Sequence, residues 1–479
     1  MRETEYLLDP KVAGGILVLF GLLWIFLGHY LGKKAKNFEG FTVAGRNVGL
    51  ALGSATVVAT WITSNTTMLA PQFALQLGIW GMLAYSTASF GLFLFAPLAQ
   101  RIQKLMPKGY TSGDFVRLRY GQKTWFVFLL ISLFYSITWL ISMGMAGGIL
   151  LQALSGIPYA VGMSVILFVC VMYTLRGGLF AVIGTDFIQS LIILIGILGV
   201  GITVIITVPS REIYSNISET SPGLLYVLFP AAIIAIFNNM FFGIGEIVHS
   251  NVWWSRAFSI RKGLGGKAFV LGGLFWLPVP IAAGFIALAA HTLGININSP
   301  DMVGPLVASK VLGSTGSIVI FIIVFASLAS SIDSLLAATV DLLTEDVYRK
   351  IYKPSSTDHE LRKVSVWITL FLGILAWLVC LPRVGTLASV LFFAGPLVGS
   401  TIWPILTGLL WKKANAQGAM YGMLVGSIVG LYAYFTLGWY TASLIGTAVS
   451  MLVVLFCTWR RPAAFDWNQL DEQGASLEY

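Results

Sequence analysis

Residues 325–348 read FASLASSIDSLLAATVDLLTEDVY and carry hydroxyl groups inside an otherwise apolar segment. If the segment is helical, four of these hydroxyls are spaced i, i+3, i+4 and i+7 and fall on one stripe about two turns long. The members of this serine stripe are Ser327, Ser330, Ser331 and Ser334. Inside a membrane such a stripe has two interpretations. It lets helices pack closely and hydrogen-bond, or its uncharged oxygens bind a hard cation such as Na⁺.

The composition is that of a polytopic membrane protein. The 479 residues are 57% hydrophobic and 10% charged, and the mean hydropathy is +0.85, which excludes a soluble domain. The net charge of +9 does not indicate a nucleic-acid partner, because the basic residues flank apolar segments. The three cysteines lie within apolar runs and the four histidines are scattered. We therefore expect no disulfide framework, no metal cluster, no cofactor and no enzymatic activity.

Thirteen apolar windows are long enough to cross the bilayer. They lie at residues 12–32, 48–70, 77–100, 124–153, 158–175, 178–208, 223–247, 267–291, 313–342, 364–382, 386–411, 416–437 and 440–459. With the N-terminus outside, the inward segments hold 24 of the 29 basic residues, including Lys34, Lys36 and Arg256. This is a strong positive-inside signature. We expect a multi-pass protein of the cell membrane with a cytoplasmic tail at 460–479.

Two of these spans carry polar residues at mid-membrane depth. The second contains ATWITSNTTMLAP (59–71), which predicts an unwound segment, with a threonine-rich packed helix as the alternative. The seventh contains Asn238 and Asn239 followed by two glycines, which predicts a second break. Interrupted spans five apart are typical of inverted repeats. We place the two repeats at 48–208 and 223–411.

The remaining spans of this scheme are an extra first span at 12–32 and two peripheral spans within 416–459.

Carboxylates also occur inside apolar spans, at Asp186 and Asp333. A buried, unpaired acid costs several kcal/mol unless a cation or a hydrogen-bond donor compensates it, so both are candidate functional residues. The alternative for Asp186 is a structural bond to a neighbouring helix.

Three segments resemble the sodium:solute symporter family. They are FTVAGRN (41–47), YTLRGGLFAVIGTDFIQS (173–190) and ASLASSIDSLLAATVDLLTEDVY (326–348). The resemblance implies an all-α fold of about thirteen transmembrane helices, with a leucine-transporter-like core of two five-helix inverted repeats and discontinuous helices. It also implies symport of a small solute with Na⁺ by alternating access, with the lipid bilayer and these two ligands as the partners.

The same resemblance implies two sites. The sodium site would use the backbone carbonyls of Ala59 and Ile62, the hydroxyls of Ser330 and Ser331, and either oxygen of Ser327. A second cation or proton site would use Asp186, Asp333 and Ser334. In that site Asp333 stands where family members have a serine, which leaves a stronger cation site, a proton site or no second site as alternatives.

Other segments resemble the urea-transporter branch of the family. They are QFALQLGIWGMLAYSTAS (72–89), PKGYTSGDFVRLRYG (107–121), GGLFWLPVPIAAGFIALAA (272–290) and the position of Trp61. Urea or a related small amide or amine is therefore the expected solute. The predicted cavity residues are Trp61, Asn65, Gln72, Asn238 and Asn239. Alternatives are symport of proline, another amino or organic acid, a sugar or a polyamine, coupling to protons, a passive channel, and a membrane sensor domain.

Overall fold

Helices make up nearly all of the regular structure in a computed structural model of the chain, which describes residues 8–33, 35, 37–226, 228–297 and 299–471. Within these ranges there is no strand, and one isolated parallel bridge joins Val48 to Ile260. Lys34 and Lys36, two of the 24 basic residues of the predicted inward segments, lie outside the described residues. Residues 472–479 of the predicted tail also lie outside them.

The first half of the chain forms ten α-helices. They are α1 (Pro10–Gly32), α2 (Phe38–Val43), α3 (Leu50–Trp61), α4 (Ser64–Leu77), α5 (Ile79–Ser86), α6 (Phe90–Leu105), α7 (Ser112–Tyr120), α8 (Gln122–Ser155), α9 (Tyr159–Thr207) and α10 (Ser210–Thr220). Short 3₁₀ turns at Ala44–Arg46, Thr87–Ser89 and Pro222–Leu225 connect some of them.

The second half contains ten more α-helices. They are α11 (Pro230–His249), α12 (Asn251–Ser259), α13 (Gly265–Trp276), α14 (Pro278–Leu288), α15 (Val303–Asp341), α16 (Asp358–Cys380), α17 (Leu387–Phe393), α18 (Gly395–Leu410), α19 (Ala416–Thr436) and α20 (Ala442–Arg460). A 3₁₀ turn at Pro300–Met302 precedes α15, and a π-helix at Leu342–Tyr352 continues it.

The described helices account for the thirteen predicted spans. Eleven are long and apolar enough to cross a membrane, and the shorter apolar helices Leu50–Trp61 and Tyr159–Leu175 match the second and fifth predicted spans. Large apolar side chains cover the outside of the bundle, including Leu19, Ile206 and Phe435, which are 69%, 76% and 73% exposed. Such a surface is typical of helices that face lipid tails and would be an aggregation hazard in water. The all-α membrane architecture is confirmed, whereas the division into repeats stays a prediction.

The second span is interrupted, as the sequence predicts. Helix α3 ends at Trp61, Ile62 leaves the helical region at φ −82° and ψ 88°, and α4 begins at Ser64. The threonine run explains the restart. The side chain of Thr63 accepts from the backbone N–H of Thr66 at 3.2 Å, and the side chain of Thr66 accepts from the N–H of Thr63 at 3.3 Å. This reciprocal capping box begins a new helix in the middle of the membrane.

The break predicted at Asn238 and Asn239 in the seventh span is wrong in position. Helix α11 runs without interruption through both residues to His249, and the chain leaves the helix only at Ser250, with φ −71° and ψ 132°. The side-chain amides of Asn238 and Asn239 form hydrogen bonds to neighbouring helices, so the backbone does not have to unwind. The nearby glycines serve close packing, since a Cβ on Gly243 would lie 2.6 Å from the Cα of Ala88.

The fifth and sixth spans are two helices that meet at a sharp turn at Gly178, with no loop between them. This residue has φ 51° and ψ −157°, a conformation that favours glycine. A Cβ at this position would also collide with the backbone carbonyl oxygen of Phe41. Glycine therefore meets two requirements here, the backbone conformation and the close approach of α2.

The serine stripe lies at the centre of the bundle. Helix α15 packs against α9, α8, α4 and α3. Each of its four stripe serines is at most 1% exposed. The stripe therefore faces the interrupted second span and the sixth span, which carries Asp186.

The described part of the predicted tail folds back onto the end of the bundle that carries α7 and the π-helix. We call this the basic end, and the charge bias predicts that it is cytoplasmic. The guanidinium of Arg101 lies 4.2 Å from the ring centre of Trp467, and that of Arg119 lies 4.3 Å from Phe465. Leu470 is 1% exposed. These cation–π contacts hold the segment against the ends of α6 and α7.

We expect Gly178→Ala to destabilise the protein, because a left-handed backbone costs an L-residue roughly 1–2 kcal/mol before the collision with Phe41 is counted. The measurement is the thermal unfolding temperature in detergent. Gly199→Ala is the matched control in the same helix, since nothing lies within 4 Å of its added Cβ. It should leave the unfolding temperature unchanged or raise it. Equal effects of the two substitutions would contradict this account.

Candidate ion and substrate site

Serine hydroxyls of α15 meet backbone carbonyls at the end of α3. The hydroxyl of Ser330 donates to the carbonyl of Ala59 at 2.9 Å, and that of Ser331 donates to the carbonyl of Thr60 at 3.2 Å. The last carbonyls of a helix lack intrahelical partners, so the break leaves these oxygens available. The structure thus brings the predicted residues of the second and ninth spans into direct contact.

The predicted ligand Ser327 contributes to this cluster through its backbone. Its hydroxyl donates to the carbonyl of Ile323 within α15 at 2.8 Å, whereas its own carbonyl oxygen lies 3.3 Å from the hydroxyl of Ser330. Ile62 occupies the break itself and is fully buried. The oxygens of Ala59, Ser327 and Ser330 therefore form a compact group of neutral ligands, the kind that hard cations prefer.

Next to this group, a guanidinium occupies the position between Asp186 and Ser334. Nη2 of Arg256 donates to the hydroxyl of Ser334 at 2.6 Å and to that of Thr60 at 2.5 Å, and it lies 3.3 Å from Oδ2 of Asp186. Thr56 donates to the same carboxylate oxygen at 2.6 Å and accepts from Nε of Arg256 at 3.1 Å. All of these side chains are buried.

The assignment of Arg256 to an inward loop is wrong. The residue lies on α12, its side chain is 0% exposed, and it neutralises Asp186. Sequence reasoning missed this role because Arg256 was counted with the topogenic charges. A signal was present, since NVWWSRAFS (251–259) surrounds a single arginine with aromatic residues and contains no other charge. Thr56 and Thr60, spaced i and i+4 on α3, were missed as well.

Asp333, the other predicted acid, is also fully buried. Its carboxylate accepts from the backbone N–H of Ser334 at 2.5 Å. Nearby, the hydroxyl of Tyr173 donates to the carbonyl of Ala329 at 2.6 Å. Ser334 thus connects the two residues: its backbone N–H binds Asp333, and its hydroxyl binds Arg256. The structure brings Asp186, Asp333 and Ser334 together, and it adds Arg256 to them.

A small cavity of about 20 Å³ lies beside the break. Half of its lining residues are aromatic, and none of them is charged. The lining includes Trp61, Trp139, Trp276, Tyr85, Thr63, Thr66, Asn239 and Phe242. The indole N–H of Trp276 donates to the carbonyl of Trp61 at 2.7 Å. The rings of Trp61 and Trp276 lie 5.8 Å apart. Aromatic walls with a few polar groups are typical of sites for small molecules, but a cavity of this size holds about one water molecule, so a solute fits only after the lining residues separate.

Trp61 offers this cavity an unused donor. Its indole nitrogen is buried, and no acceptor among the described residues lies within hydrogen-bonding distance. A buried donor without a partner costs about 1–3 kcal/mol. A ligand carbonyl oxygen in the cavity would remove that cost.

The other predicted cavity residues are placed differently. Asn239 lines the cavity and donates to the carbonyls of Ala84 and Tyr85 at 2.7 and 3.0 Å. Asn238 instead accepts from the backbone N–H groups of Ser443 and Leu444 at the start of α20, at 2.9 and 3.2 Å.

Asn65 and Gln72 are buried but do not line the cavity. The carbonyl oxygen of the Asn65 side chain accepts from Ser142 at 3.1 Å. The sequence did not indicate six further cavity residues. Three of them lie in the second and seventh spans and three on other helices: Thr63, Thr66 and Phe242, and Tyr85, Trp139 and Trp276.

A charged cluster closes the basic end below these sites. Lys350 of the π-helix pairs with Asp114 and, at 2.8 Å, with Asp346, which also accepts from Thr111 at 2.6 Å and from the indole of Trp125 at 3.2 Å. Burial alone would raise the pKa of Asp114, but Lys350 and two backbone N–H groups outweigh it and hold that pKa below its usual value. The Lys350–Asp114 pair therefore stabilises this end at neutral pH, and its contribution is lost as pH falls through the lowered pKa of Asp114.

A larger cavity of about 800 Å³ also lies at the basic end. It is lined by charged side chains, including Arg46, Arg117 and Arg349, and by Leu470 of the tail segment. None of its lining residues belongs to the serine stripe or to the break in the second span. For this reason we place the candidate site at the smaller aromatic cavity.

We expect Arg256→Met to destabilise the protein by about 3–5 kcal/mol, because it leaves Asp186 as an uncompensated buried charge. Adding Asp186→Asn should restore much of the stability. The measurement is thermal unfolding in detergent for the two single variants and the double variant. Lys353→Gln, which breaks the exposed pair with Glu360, is the control and should leave the unfolding temperature nearly unchanged. Strictly additive effects of Arg256→Met and Asp186→Asn would contradict the pairing.

The chain is similar in sequence to known membrane transporters. The urea-proton symporter DUR3 of Oryza sativa subsp. japonica is 26% identical, over 97% of this chain and 72% of the relative. The osmoregulated proline transporter OpuE of Bacillus subtilis (strain 168) is 27% identical, over 86% of this chain and 87% of the relative. Both relatives are transporters.

Among solved structures, the substrate-bound outward-open state of a Na⁺-coupled sialic acid symporter matches with a TM-score of 0.78 and 18% identity, over 95% of this chain and 99% of that one. Mhp1, a nucleobase-cation-symport-1 family transporter in a closed conformation, matches with a TM-score of 0.57 and 14% identity, over 91% and 98%. These likenesses show the fold alone, and they confirm the predicted leucine-transporter-like class. The family model described as "Sodium:solute symporter family" matches residues 41–426, and the chain therefore belongs to the sodium:solute symporter family.

Proposed function

We propose that this chain imports urea, or a closely related small amide, together with Na⁺ by alternating access. Membership of the family supports solute symport in general. The observation that carries the sodium part is the contact between the Ser330 hydroxyl and the carbonyls of Ala59 and Ser327. In the proposal, Na⁺ displaces these hydrogen bonds and is held by the same oxygens, together with Ser331 and the carbonyl of Ile62.

One sodium ion per cycle fits the charges at the neighbouring position. Asp186 and Ser334, which would contribute to a second cation site, already contact the guanidinium of Arg256. A fixed guanidinium supplies the compensating charge that a second ion would bring. Asp333 lies beside this group, so we assign it a positioning role at Ser334.

A single sodium ion is energetically sufficient for uptake. One charge moving through about 100 mV yields about 2.3 kcal/mol, and a tenfold concentration gradient adds about 1.4 kcal/mol. Together these support roughly 500-fold accumulation of a neutral solute.

The cavity favours a neutral amide over an amino acid or an organic acid. The described lining contains no charged side chain that would pair with a carboxylate. At the start of α4, the backbone N–H groups of Thr63 and Thr66 are already taken by the capping box. The free N–H of Trp61 suits a carbonyl oxygen, and the threonine hydroxyls and aromatic faces suit amide N–H groups. The named urea transporter among the relatives supports the same choice.

We expect urea uptake into proteoliposomes under an inward Na⁺ gradient, with a hyperbolic dependence on sodium. Ser330→Ala combined with Ser331→Ala should abolish this uptake because it removes both hydroxyl ligands. Ser327→Ala is the matched control, since that hydroxyl bonds within its own helix and the carbonyl remains.

Full sodium-driven uptake by the double serine variant would exclude the assigned sodium site. Urea flux without sodium dependence or accumulation would indicate a passive channel. Saturable uptake of proline or a sugar without uptake of urea would remove the proposed substrate.

We expect Trp61→Phe to raise the KM for urea about fivefold, which corresponds to about 1 kcal/mol for one lost hydrogen bond. The phenyl ring retains an aromatic wall but has no N–H. The measurement is the initial rate of sodium-driven uptake at varied urea concentration. Trp403→Phe is the matched control, because its indole N–H is also buried without a partner but lies outside the cavity. An unchanged KM for Trp61→Phe would remove this contact.

A further inference from the structure

Glu246 is a buried acid that the sodium and substrate sites do not use. It lies on α11 with an exposure of 0%. Its Oε1 accepts from the hydroxyl of Tyr135 at 2.6 Å and from the indole N–H of Trp253 at 3.0 Å. Its Oε2 is buried, and no described residue offers it a hydrogen bond. Every ion pair found among the described residues involves a different acid.

This carboxyl lies directly behind the wall of the substrate cavity. Asn239 and Phe242 line the cavity, and Glu246 follows them at i+7 and i+4 on the same helical face. Its two donors belong to rings that pack on cavity walls. The ring of Trp253 lies 5.3 Å from that of Trp61, and the ring of Tyr135 lies 5.5 Å from that of Trp139.

On its other side, the carboxyl is connected through Tyr135 to a narrow crevice that has no room for a water molecule. Tyr135 lines this crevice together with His249, Ser250 and Asn251, where α11 ends and α12 begins. Residues of α15 that follow the serine stripe, including Ala338, form the opposite wall. Tyr135 therefore links Glu246 to a crevice between the substrate region and the last turns of α15.

An unpaired carboxylate at this depth costs several kcal/mol, whereas a neutral carboxylic acid does not. The ligand that would compensate Glu246 must be small, because Oε2 has no open space beside it. A proton meets both conditions. Protonation would make Oε2 a hydroxyl, and Oε1 would continue to accept from Tyr135 and Trp253.

We propose that Glu246 is a proton-binding site whose occupancy is coupled to the substrate cycle. A proton from water on one side of the membrane binds Oε2 as an O–H bond, and that bond breaks again when the opposite side opens, which returns the proton to water. No oxidant or further reactant is needed. The proposal rests on the symport proposed above and adds a proton to the cargo.

Few ionisable groups face this acid from the surrounding helices. Tyr135 approaches it from α8 and Tyr85 from α5, while His249 lies one turn further on α11. Nε2 of His249 is engaged with Ser132 at 3.1 Å. On α12, Arg256 is paired with Asp186.

The remaining neighbours of α11 supply no counter-charge within the described residues. Helix α18 contains no ionisable residue. Arg101 of α6 donates to the carbonyl of Leu409. Helix α20 meets α11 at Asn238, about two turns from Glu246. Glu246 is therefore the acid in this region for which no fixed cation is provided.

The test compares the full chain with Glu246→Gln in proteoliposomes, with Na⁺ and pH gradients imposed separately. Glutamine keeps an acceptor for Tyr135 and Trp253 but cannot gain or lose the proton. We expect the variant to lose pH-driven urea uptake and the pH dependence of its rate, and to keep sodium-driven uptake. Glu345→Gln is the control, because that acid is paired with Arg349 at the basic end. It should retain both responses.

Three results would overturn the proposal. If urea uptake by the parent chain does not respond to pH, the proton site is excluded and the sodium symport is left intact. An unchanged pH response in Glu246→Gln also excludes the proton site. Loss of the sodium response alone would show that the carboxylate holds Na⁺ instead. Absence of urea uptake in the parent under either gradient contradicts the proposed function itself.

A second measurement covers a variant that folds but does not transport. Purified protein in weakly buffered detergent solution is mixed with urea, and the change in proton concentration is followed with a soluble pH indicator. The parent should exchange protons on substrate addition, and Glu246→Gln should not. Tyr135→Phe, which removes one hydrogen bond to Oε1, should shift the pH at which this exchange occurs. Proton exchange that persists unchanged in Glu246→Gln would contradict the assignment.

Discussion

The interrupted second span is the constraint on which the centre of this protein depends. A helix that stops inside a membrane leaves carbonyl groups without partners, and those groups must be satisfied inside the protein because lipid cannot do so. Here the hydroxyls of Ser330 and Ser331 reach the carbonyls of Ala59 and Thr60, and the indole of Trp276 reaches that of Trp61. The same oxygens are the natural ligands of a hard cation. In the proposed function, folding and ion binding therefore use one set of atoms.

The second break, at Ser250, serves a different purpose. By turning the chain at the end of α11, it directs α12 so that Arg256 reaches Asp186 and Trp253 reaches Glu246. One acid thus receives a permanent cation and the other receives only neutral donors. Trp253 and Arg256 lie three positions apart on α12, and they give Glu246 and Asp186 different electrostatic environments.

Much of this arrangement could be predicted from local sequence. The span count and the break near Ile62 follow from hydropathy and from the threonine run, and the serine stripe follows from helical spacing. The roles of Asn238 and Arg256 could not be predicted, because their partners are at Ser443 and Asp186 in distant helices. A polar residue in a membrane span indicates that a partner exists, but its sequence context does not say which helix supplies that partner. The cavity was only partly predicted for the same reason, since Tyr85, Trp139 and Trp276 come from three other helices.

The turn at Gly178 has a mechanical consequence. The fifth and sixth spans meet at Gly178 with no intervening loop, so any change in the angle between them must be taken up by the backbone dihedrals at this turn. Before the turn, the hydroxyl of Tyr173 donates a hydrogen bond to α15. After the turn, Asp186, eight residues beyond Gly178, forms an ion pair with Arg256 of α12. The two helices are thus anchored on either side of Gly178, and this residue is the point about which they can rotate relative to each other.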